Sequence, residues 1–539
     1  MKEISSMKKN NVNFIFGLLD KKKISLCLFI EAFLDFIYYV IPYTFAIFLT
    51  MPFTLEKAII VASIFIVSKT LRCFILYLER KVRDNYLYEY SNVQSLEYYK
   101  KLTKVPVETL AKYQTGYLEN IIGKISELVQ KILSAEYTGI LLSFGFFFFT
   151  VFQQSKILFV VSLVLSVLCV MTSIYILKKS NKYVEELYDK DYEYSSVYQD
   201  FISNIRTVKA LNDNKYFEKI ILKKGNECYK KQNKYVKCYS LEEFIRNILI
   251  VIPFALAIIK AVIDLSNGID TLGIITFYIS IYLEMGFIFD ELSGTIVSGF
   301  ELKALKKKCI QLFSNLDERE VLTNFNKIEL SNIELKYKES NFYIKVDNML
   351  IKKKDKISIT GKSGQGKTSL INLILGNITT YKGQAKIDEN DMRKYRLDIG
   401  VVSQEIELFD MTIKENLCLD KNISDEEIAN YLKELELDEI LMFEDGIYTI
   451  VGEKGLKLST GQKRRINILR SYLMGKDVYI LDEPTSNLDK HTEEIVVNFI
   501  LKYFKDKTLI IATHNEKINE ICNKFYYFDN HKLLLKDNA

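Results

Sequence analysis

The chain has 539 residues, 49% of them hydrophobic and 26% charged, with a formal net charge of +5. Apolar content this high excludes a disordered coil, eight cysteines are too sparse for a disulfide scaffold, and so small a positive balance gives no case for nucleic-acid binding. No CxxC pair or Cys/His cluster occurs, so neither structural zinc nor a dithiol redox site is indicated. The mean hydropathy of +0.04 is read as the average of two unlike halves.

The apolar stretch Asn13–Leu19 is too short for a signal peptide and runs into Lys21–Lys23, which fits a helix lying in the membrane interface. Six apolar runs follow, near 24–50, 57–79, 138–154, 156–178, 243–264 and 271–296. Each is read as a membrane helix, since crossing a hydrocarbon core takes about 20 helical residues. Gaps are short after the first, third and fifth runs and long after the second and fourth, about 80–137 and 179–242, so the long loops fall on one side. Arg80, Lys81, Arg83, Lys178, Lys179, Lys182, Lys234, Lys237 and Lys306–Lys308 flank that side, which the positive-inside rule makes cytosolic, together with both termini. The long loops are charged, helix-forming and poor in Gly and Pro. They predict helical hairpins projecting into the cytosol and turning around Lys104–Gly116 and Ile205–Phe217.

Ionisable residues within the runs are Glu31, Asp35, Lys69, Arg72, Arg246, Lys260 and Glu284. Each costs about 2.5–3.5 kcal/mol at mid-bilayer, so these groups are expected to pair with one another or to face a cavity. The second arrangement, lined by Tyr and Phe with Glu31, Asp35 and Glu284, would suit cationic amphipathic cargo. Pro42 and Pro253 are expected to kink the first and fifth runs.

Past residue 312 the texture changes. A polar linker over 313–325 leads into short β-branched runs alternating with amphipathic helical stretches, which predicts an α/β domain over 326–539 with a largely parallel sheet. Its strongest signal is a P-loop between a strand (Ile357–Thr360) and an apolar helix: Gly361, Lys362, Ser363, Gly364, Gln365, Gly366, Lys367, Thr368 and Ser369. Glycines let successive backbone N–H groups turn toward phosphate, Lys367 reaches the β and γ oxygens, and Thr368 offers a hydroxyl to Mg²⁺. A second apolar strand, Val478–Leu481, ends in Asp482 and Glu483, the pattern of a Mg²⁺ carboxylate followed by a general base for the attacking water. His514 follows a third strand, Thr508–Ala512, at the strand end where ligands gather in open α/β sheets. His491 and His531 have no such context.

With these elements in place the chain resembles an ABC transporter, specifically a half-transporter of the type I exporter (type IV) fold found in bacterial multidrug, peptide and lipid exporters. Leu458–Gln462 (LSTGQ) resembles the signature motif, with Thr460 where the family usually has Gly. Gln404 looks like the Q-loop glutamine, Tyr337 like the adenine-stacking aromatic, Ser486–Asp489 like the D-loop, and Thr449–Gly455 like the exporter X-loop.

The resemblance implies a membrane all-α six-helix domain over 1–312 with long cytoplasmic helical hairpins, and a C-terminal α/β P-loop ATPase domain. It implies ATP bound by Tyr337, the P-loop, Ser459, Gly461, Gln462 and Asp489; Mg²⁺ held by Thr368, Gln404 and Asp482; and catalysis by Glu483, His514 and Gln404. Val107–Tyr113 and Leu211–Phe217 are the candidate coupling helices. Because the family's signature completes the ATP site of the opposite subunit, the chain is expected to dimerise in the cytoplasmic membrane. Intact Glu483 and His514 point to a homodimer, while Thr460 leaves open a heterodimer with one impaired site. The implied function is ATP-driven export of an amphipathic peptide, drug or lipid; an importer built on the exporter fold, for instance for a metal chelate or siderophore, is the alternative.

Overall fold

A computed structural model describes residues 54–111, 113, 115–133, 137–268, 273–336 and 343–536. The first apolar run with Glu31 and Asp35, the residue Tyr337, and the side chains of Lys69, Arg72 and Glu284 lie outside the described residues. The chain separates into a helical unit and, from Asp317 onward, an α/β unit.

The helical unit comprises α1 (Leu55–Leu102), α2 (Val107–Leu110), α3 (Thr115–Leu133), α4 (Tyr137–Gln154), α5 (Lys156–Ser203), α6 (Ile205–Leu211), α7 (Asn214–Ser266) and α8 (Gly273–Leu312). Helices α5 and α7, of 48 and 53 residues, are long and apolar enough to cross a membrane. At about 1.5 Å per residue they span roughly 70–80 Å, more than twice a hydrocarbon core of about 30 Å. Their breaks are written locally. Ser155 caps α5 by accepting from Leu158 N–H, Asn212 takes the left-handed conformation (φ 52°), and Asp213 caps α7 by accepting from Tyr216 N–H at 3.2 Å. The second candidate coupling helix is displaced from its expected place: the short helix is Ile205–Leu211, because the Asn212–Asp213 break falls inside the expected Leu211–Phe217. Helix α7 continues through Pro253.

Ion pairs Glu186–Lys231, Lys190–Glu227 and Glu193–Lys224 join α5 to α7. Partner numbers rise on one helix as they fall on the other, the signature of an antiparallel pair in fixed register. Further along, Ser173 donates to Glu242 at 2.6 Å, and Arg246 binds Glu242 at 3.2 Å and Asp290 of α8. Arg246 is thus paired rather than facing an open cavity, and Lys260 pairs with Asp264. Where the apolar parts meet, small side chains (Ser162, Cys169, Ser173, Ala257, Ala261) are buried beside Phe147, Tyr278 and Tyr282, letting helix backbones approach. A second core, around Tyr98, Ile121, Ile125, Leu128, Tyr188, Tyr192 and Leu305, fills the hairpin side.

The α/β unit runs β1 (Glu320–Leu322), β2 (Lys327–Lys336), β3 (Tyr343–Lys352), β4 (Lys356–Thr360), α9 (Lys367–Ile374), β5 (Lys382–Ile387), β6 (Asn390–Asp391), β7 (Tyr395–Leu397), β8 (Gly400–Val402), α10 (Ile413–Cys418), α11 (Asp425–Glu434), α12 (Asp438–Leu441), α13 (Thr460–Leu473), β9 (Val478–Asp482), α14 (Lys490–Tyr503), β10 (Thr508–Ala512), α15 (Glu516–Glu520), β11 (Lys524–Asp529) and β12 (Lys532–Leu535). Part of the expected linker is structured, since β1 pairs with β7.

Ten strands form one sheet in the order β6-β5-β2-β3-β12-β11-β4-β10-β9-β8. It is more mixed than expected. Neighbours from β11 to β8 are parallel, whereas β11/β12, β2/β3, β2/β5 and β5/β6 are antiparallel. Burial explains the division. Strands β9 and β10 are buried at every residue, as a sheet covered on both faces requires, while β2 and β3 largely alternate buried and partly exposed positions. On the central strands Tyr479, Leu481, Leu509 and Ile511 enter one core with the helices of the α10–α14 region, and Val478, Ile480, Ile510 and Ala512 enter the other with α9 and the antiparallel strands.

Candidate functional site

Four adjacent parallel strands bring the predicted residues to one edge. Ala512 of β10 is in register with Ile359 of β4 on one side and with Asp482 of β9 on the other, and Val402 of β8 is in register with Leu481. The P-loop after β4, His514 after β10, Asp482 and Glu483 at the end of β9, and Gln404 after β8 therefore leave the same end of the sheet. Glu483 N–H donates to the Ala512 carbonyl at 2.8 Å, which ties the acid pair to the segment that leads to the exposed His514.

The P-loop needs its glycines. Gly361, Gly364 and Gly366 have φ of +148°, +80° and +122°, and a Cβ on Gly366 would lie 2.3 Å from Ile344 Cγ2. Gly366, having no side chain, makes no side-chain cap hydrogen bond to α9, unlike Ser459 at α13 or Asp489 at α14. An uncapped helix N-terminus behind a glycine loop fits a phosphate chain. Lys367, its side chain 10% exposed, donates to the Gly361 carbonyl at 2.6 Å, with its ammonium 3.9 Å from Glu483 Oε1. Lys362, Ser363, Gly364 and Thr368 are exposed, and Ser369 is buried in α9. Gln365 lies partly buried beneath the loop.

Gln404 Nε2 donates to Glu483 Oε2 at 3.1 Å, and Glu483 holds a left-handed backbone (φ 48°) that turns its carboxylate off the end of β9. Asp482 is 7% exposed. Its pKa is raised, first by burial and then by the charge of Glu483, against the opposing influence of Lys367 and Arg464. The two carboxylates, the Thr368 hydroxyl and the Gln404 amide oxygen are hard oxygen donors that leave the same end of the sheet, and a divalent cation would relieve the repulsion between the acids. The residues fit Mg²⁺.

The signature residues are engaged differently. Ser459 and Gln462 form a reciprocal capping box, Gln462 Oε1 accepting from Ser459 N–H at 2.7 Å, and Gln462 Nε2 donates to Glu439 at 2.5 Å. Gly461 follows Thr460 in the first turn of α13, and both Ser459 and Thr460 are exposed. The Asp489 carboxylate accepts from Thr492 N–H and Oγ1 at 3.0 and 2.7 Å. These bonds run within the signature, from it to α12, and from the D-loop to the first turn of α14, not to the P-loop. In the Thr449–Gly455 segment a single 3-10 turn, Glu453–Gly455, presents the Lys454 carbonyl to Lys463 at 2.9 Å.

Two residues escaped the sequence reading. His531, in the turn between β11 and β12, has Nδ1 3.3 Å from the Gln365 carbonyl of the P-loop. Arg464, buried in α13, reaches both the Q-loop and the D-loop segments. Neither belongs to a short motif, and both contacts join residues far apart in sequence.

Comparison with known proteins shows the family. The ABC transporter transmembrane region matches residues 24–286 and the ABC transporter domain matches residues 344–486. The chain belongs to the ABC transporters and joins their membrane region to their ATPase domain in one polypeptide. ABC transporter ATM1 of Plasmodium falciparum is 36% identical over 38% of this chain and 21% of its own length. The ATP-dependent lipid A-core flippase of Pectobacterium atrosepticum is 33% identical over 43% of this chain and 44% of its own. The chain thus spans less than half the length of these relatives. A solved bacterial Atm1-family ABC exporter with ATP bound shares the fold, with a TM-score of 0.80 at 18% identity over 95% of this chain and 93% of that one.

Proposed function

We propose that this chain is one half of a dimeric ABC exporter in the cytoplasmic membrane, with both termini cytosolic, which couples ATP hydrolysis to export of an amphipathic peptide, drug or lipid. The observation that carries the reading is the convergence of the P-loop, Asp482, Glu483, Gln404 and His514 at the ends of β4, β9, β8 and β10, in a chain whose α5 and α7 are long enough to cross a bilayer and continue beyond it. Likeness to a flippase and to an Atm1-family exporter supports export over import.

In this reading the α9 N-terminus and Lys367 bind the phosphates, and Thr368, Asp482 and Gln404 would hold Mg²⁺, which would supply positive charge to offset that of the phosphates. Glu483 takes the proton of the attacking water, with Gln404 fixing the orientation of its carboxylate, and His514 borders the γ-phosphate. Ser459, Gly461 and Gln462 complete the site of the opposite subunit. Two bound nucleotides close the ATPase domains of the dimer, and that closure biases the membrane helices between two states, as alternating access requires.

Glu483→Gln tests this assignment in reconstituted full-length protein. It is expected to bind ATP as the wild type does while losing hydrolysis and ATP-driven transport into inverted vesicles; hydrolysis at the wild-type rate would remove Glu483 from the role of base.

A further inference from the structure

Arg464 carries a charge into the interior of the α/β unit and is not part of the P-loop or the strand-end acid pair. It lies two residues beyond the signature, one turn after Thr460 on α13, and is 3% exposed. Nη1 donates to the Ser403 carbonyl at 3.0 Å, and Nη2 donates to the Gln404 carbonyl and the Ser486 hydroxyl, each at 3.0 Å. Both segments so held touch Glu483: Gln404 through its amide at 3.1 Å, and Ser486 through its N–H to the Glu483 carbonyl at 3.1 Å. A buried guanidinium without a bidentate carboxylate partner is costly, and an apolar side chain could fill the same space. What the guanidinium adds is a rigid planar fork that holds three acceptors in one geometry, which the single ammonium of Lys cannot do.

We propose that Arg464 is a positioning residue that fixes Gln404 and Ser486 about Glu483 and carries the seating of the signature helix into the hydrolytic site of its own subunit. The inference rests on the dimeric reading above, in which Ser459, Gly461 and Gln462 meet the nucleotide of the opposite subunit. Helix α13 then feels that nucleotide at its first turn, and Arg464, about one turn on, shifts the Q-loop and D-loop segments with it. ATP at one site thereby adjusts the base at the other, and the two sites fire together.

The test uses the full-length protein in lipid nanodiscs, with ATPase rate measured against ATP concentration and binding of trinitrophenyl-ATP measured in parallel. The wild type is expected to show sigmoidal ATP dependence with a Hill coefficient near the two-site limit. Arg464→Lys and Arg464→Gln are expected to lower kcat by up to about 100-fold through misplacement of the catalytic groups, to make the dependence hyperbolic, and to leave affinity for the analogue unchanged, since Arg464 does not touch the P-loop. Ser486→Ala removes one acceptor while keeping the buried guanidinium, and should weaken the sigmoidicity in the same direction. Wild-type kcat and sigmoidicity in Arg464→Gln, or a lowered kcat with sigmoidicity intact in all three variants, overturns the coupling and leaves the dimer standing. A hyperbolic wild type whose mass is that of two chains overturns the coupling alone; a single-chain mass in the active protein overturns the dimeric reading, and the coupling with it.

Discussion

Single residues decide the geometry of the nucleotide edge. Glu483 in the left-handed region holds a conformation that costs a non-glycine residue about 1–2 kcal/mol, and such strain recurs where a side chain must leave a strand end at a set angle. Asp355 is the opposite case, a residue that anchors. It accepts from Lys352 N–H at 2.7 Å, Asn523 Nδ2 at 2.9 Å and Lys524 Nζ at 2.6 Å, fastening the start of β4 to β11. Burial pushes its pKa up, but Lys524 and the other donors win and hold it below the usual carboxylate range. A depressed carboxylate contributes stability at every pH above its unfolded value, about 3.9, and loses that contribution as pH falls through the folded value. Asp355→Asn should therefore lower stability by about 2 kcal/mol at pH 7, with the gap to wild type closing in acid. Thermal unfolding across pH reads this directly; a gap that persists unchanged at the acid end would deny the ion pair its role. The P-loop, the Asp482–Glu483 pair and His514 were legible in the sequence because each is a local pattern on a recognisable strand. Arg464 and His531 were not, because their partners lie 60 and 166 positions away.

At the scale of elements, hydrophobic runs and their spacing were enough to find α1, α4, α5, α7 and α8, and continuous apolar runs found β4, β9 and β10. The antiparallel flank was harder. Strands β2 and β3 alternate, and the alternation that marks an antiparallel ribbon was submerged in an expectation built from the parallel core. Displacement of the second short helix to Ile205–Leu211 has a similar origin, since its end depends on Asn212 accepting a left-handed backbone. Among the membrane-side contacts the Ser173–Glu242–Arg246–Asp290 cluster joins three helices, with Glu242 and Arg246 almost wholly buried. Removing one partner leaves the other charge buried alone, so Arg246→Ala should destabilise by about 3 kcal/mol. Arg246→Ala combined with Glu242→Ala should recover part of that loss, as read by thermal unfolding in detergent. If the double variant is no better than the single, the two groups are not energetically coupled.

For the whole molecule, the dimeric reading gives a mass. Light scattering on the purified transporter is expected to show protein near twice the 62.8 kDa of one chain, and a single-chain mass under conditions of full ATPase activity would refute it. The ion pairs of α5 and α7 are partly exposed and worth about 0.2–1 kcal/mol each, too little to hold a hairpin together by strength. Their effect is on lineage. One extra residue in α5 between Ser173 and Glu186 turns everything beyond it by about 100° and advances it about 1.5 Å, so that Glu186–Lys231, Lys190–Glu227 and Glu193–Lys224 can no longer form together with Ser173–Glu242. Length changes between Ser173 and Glu242 can therefore survive only as matched insertions on both arms of the ladder, in near-whole turns, so descendants of this chain should vary freely in side chains along α5 and α7 but change the number of residues there only in equal amounts on the two helices.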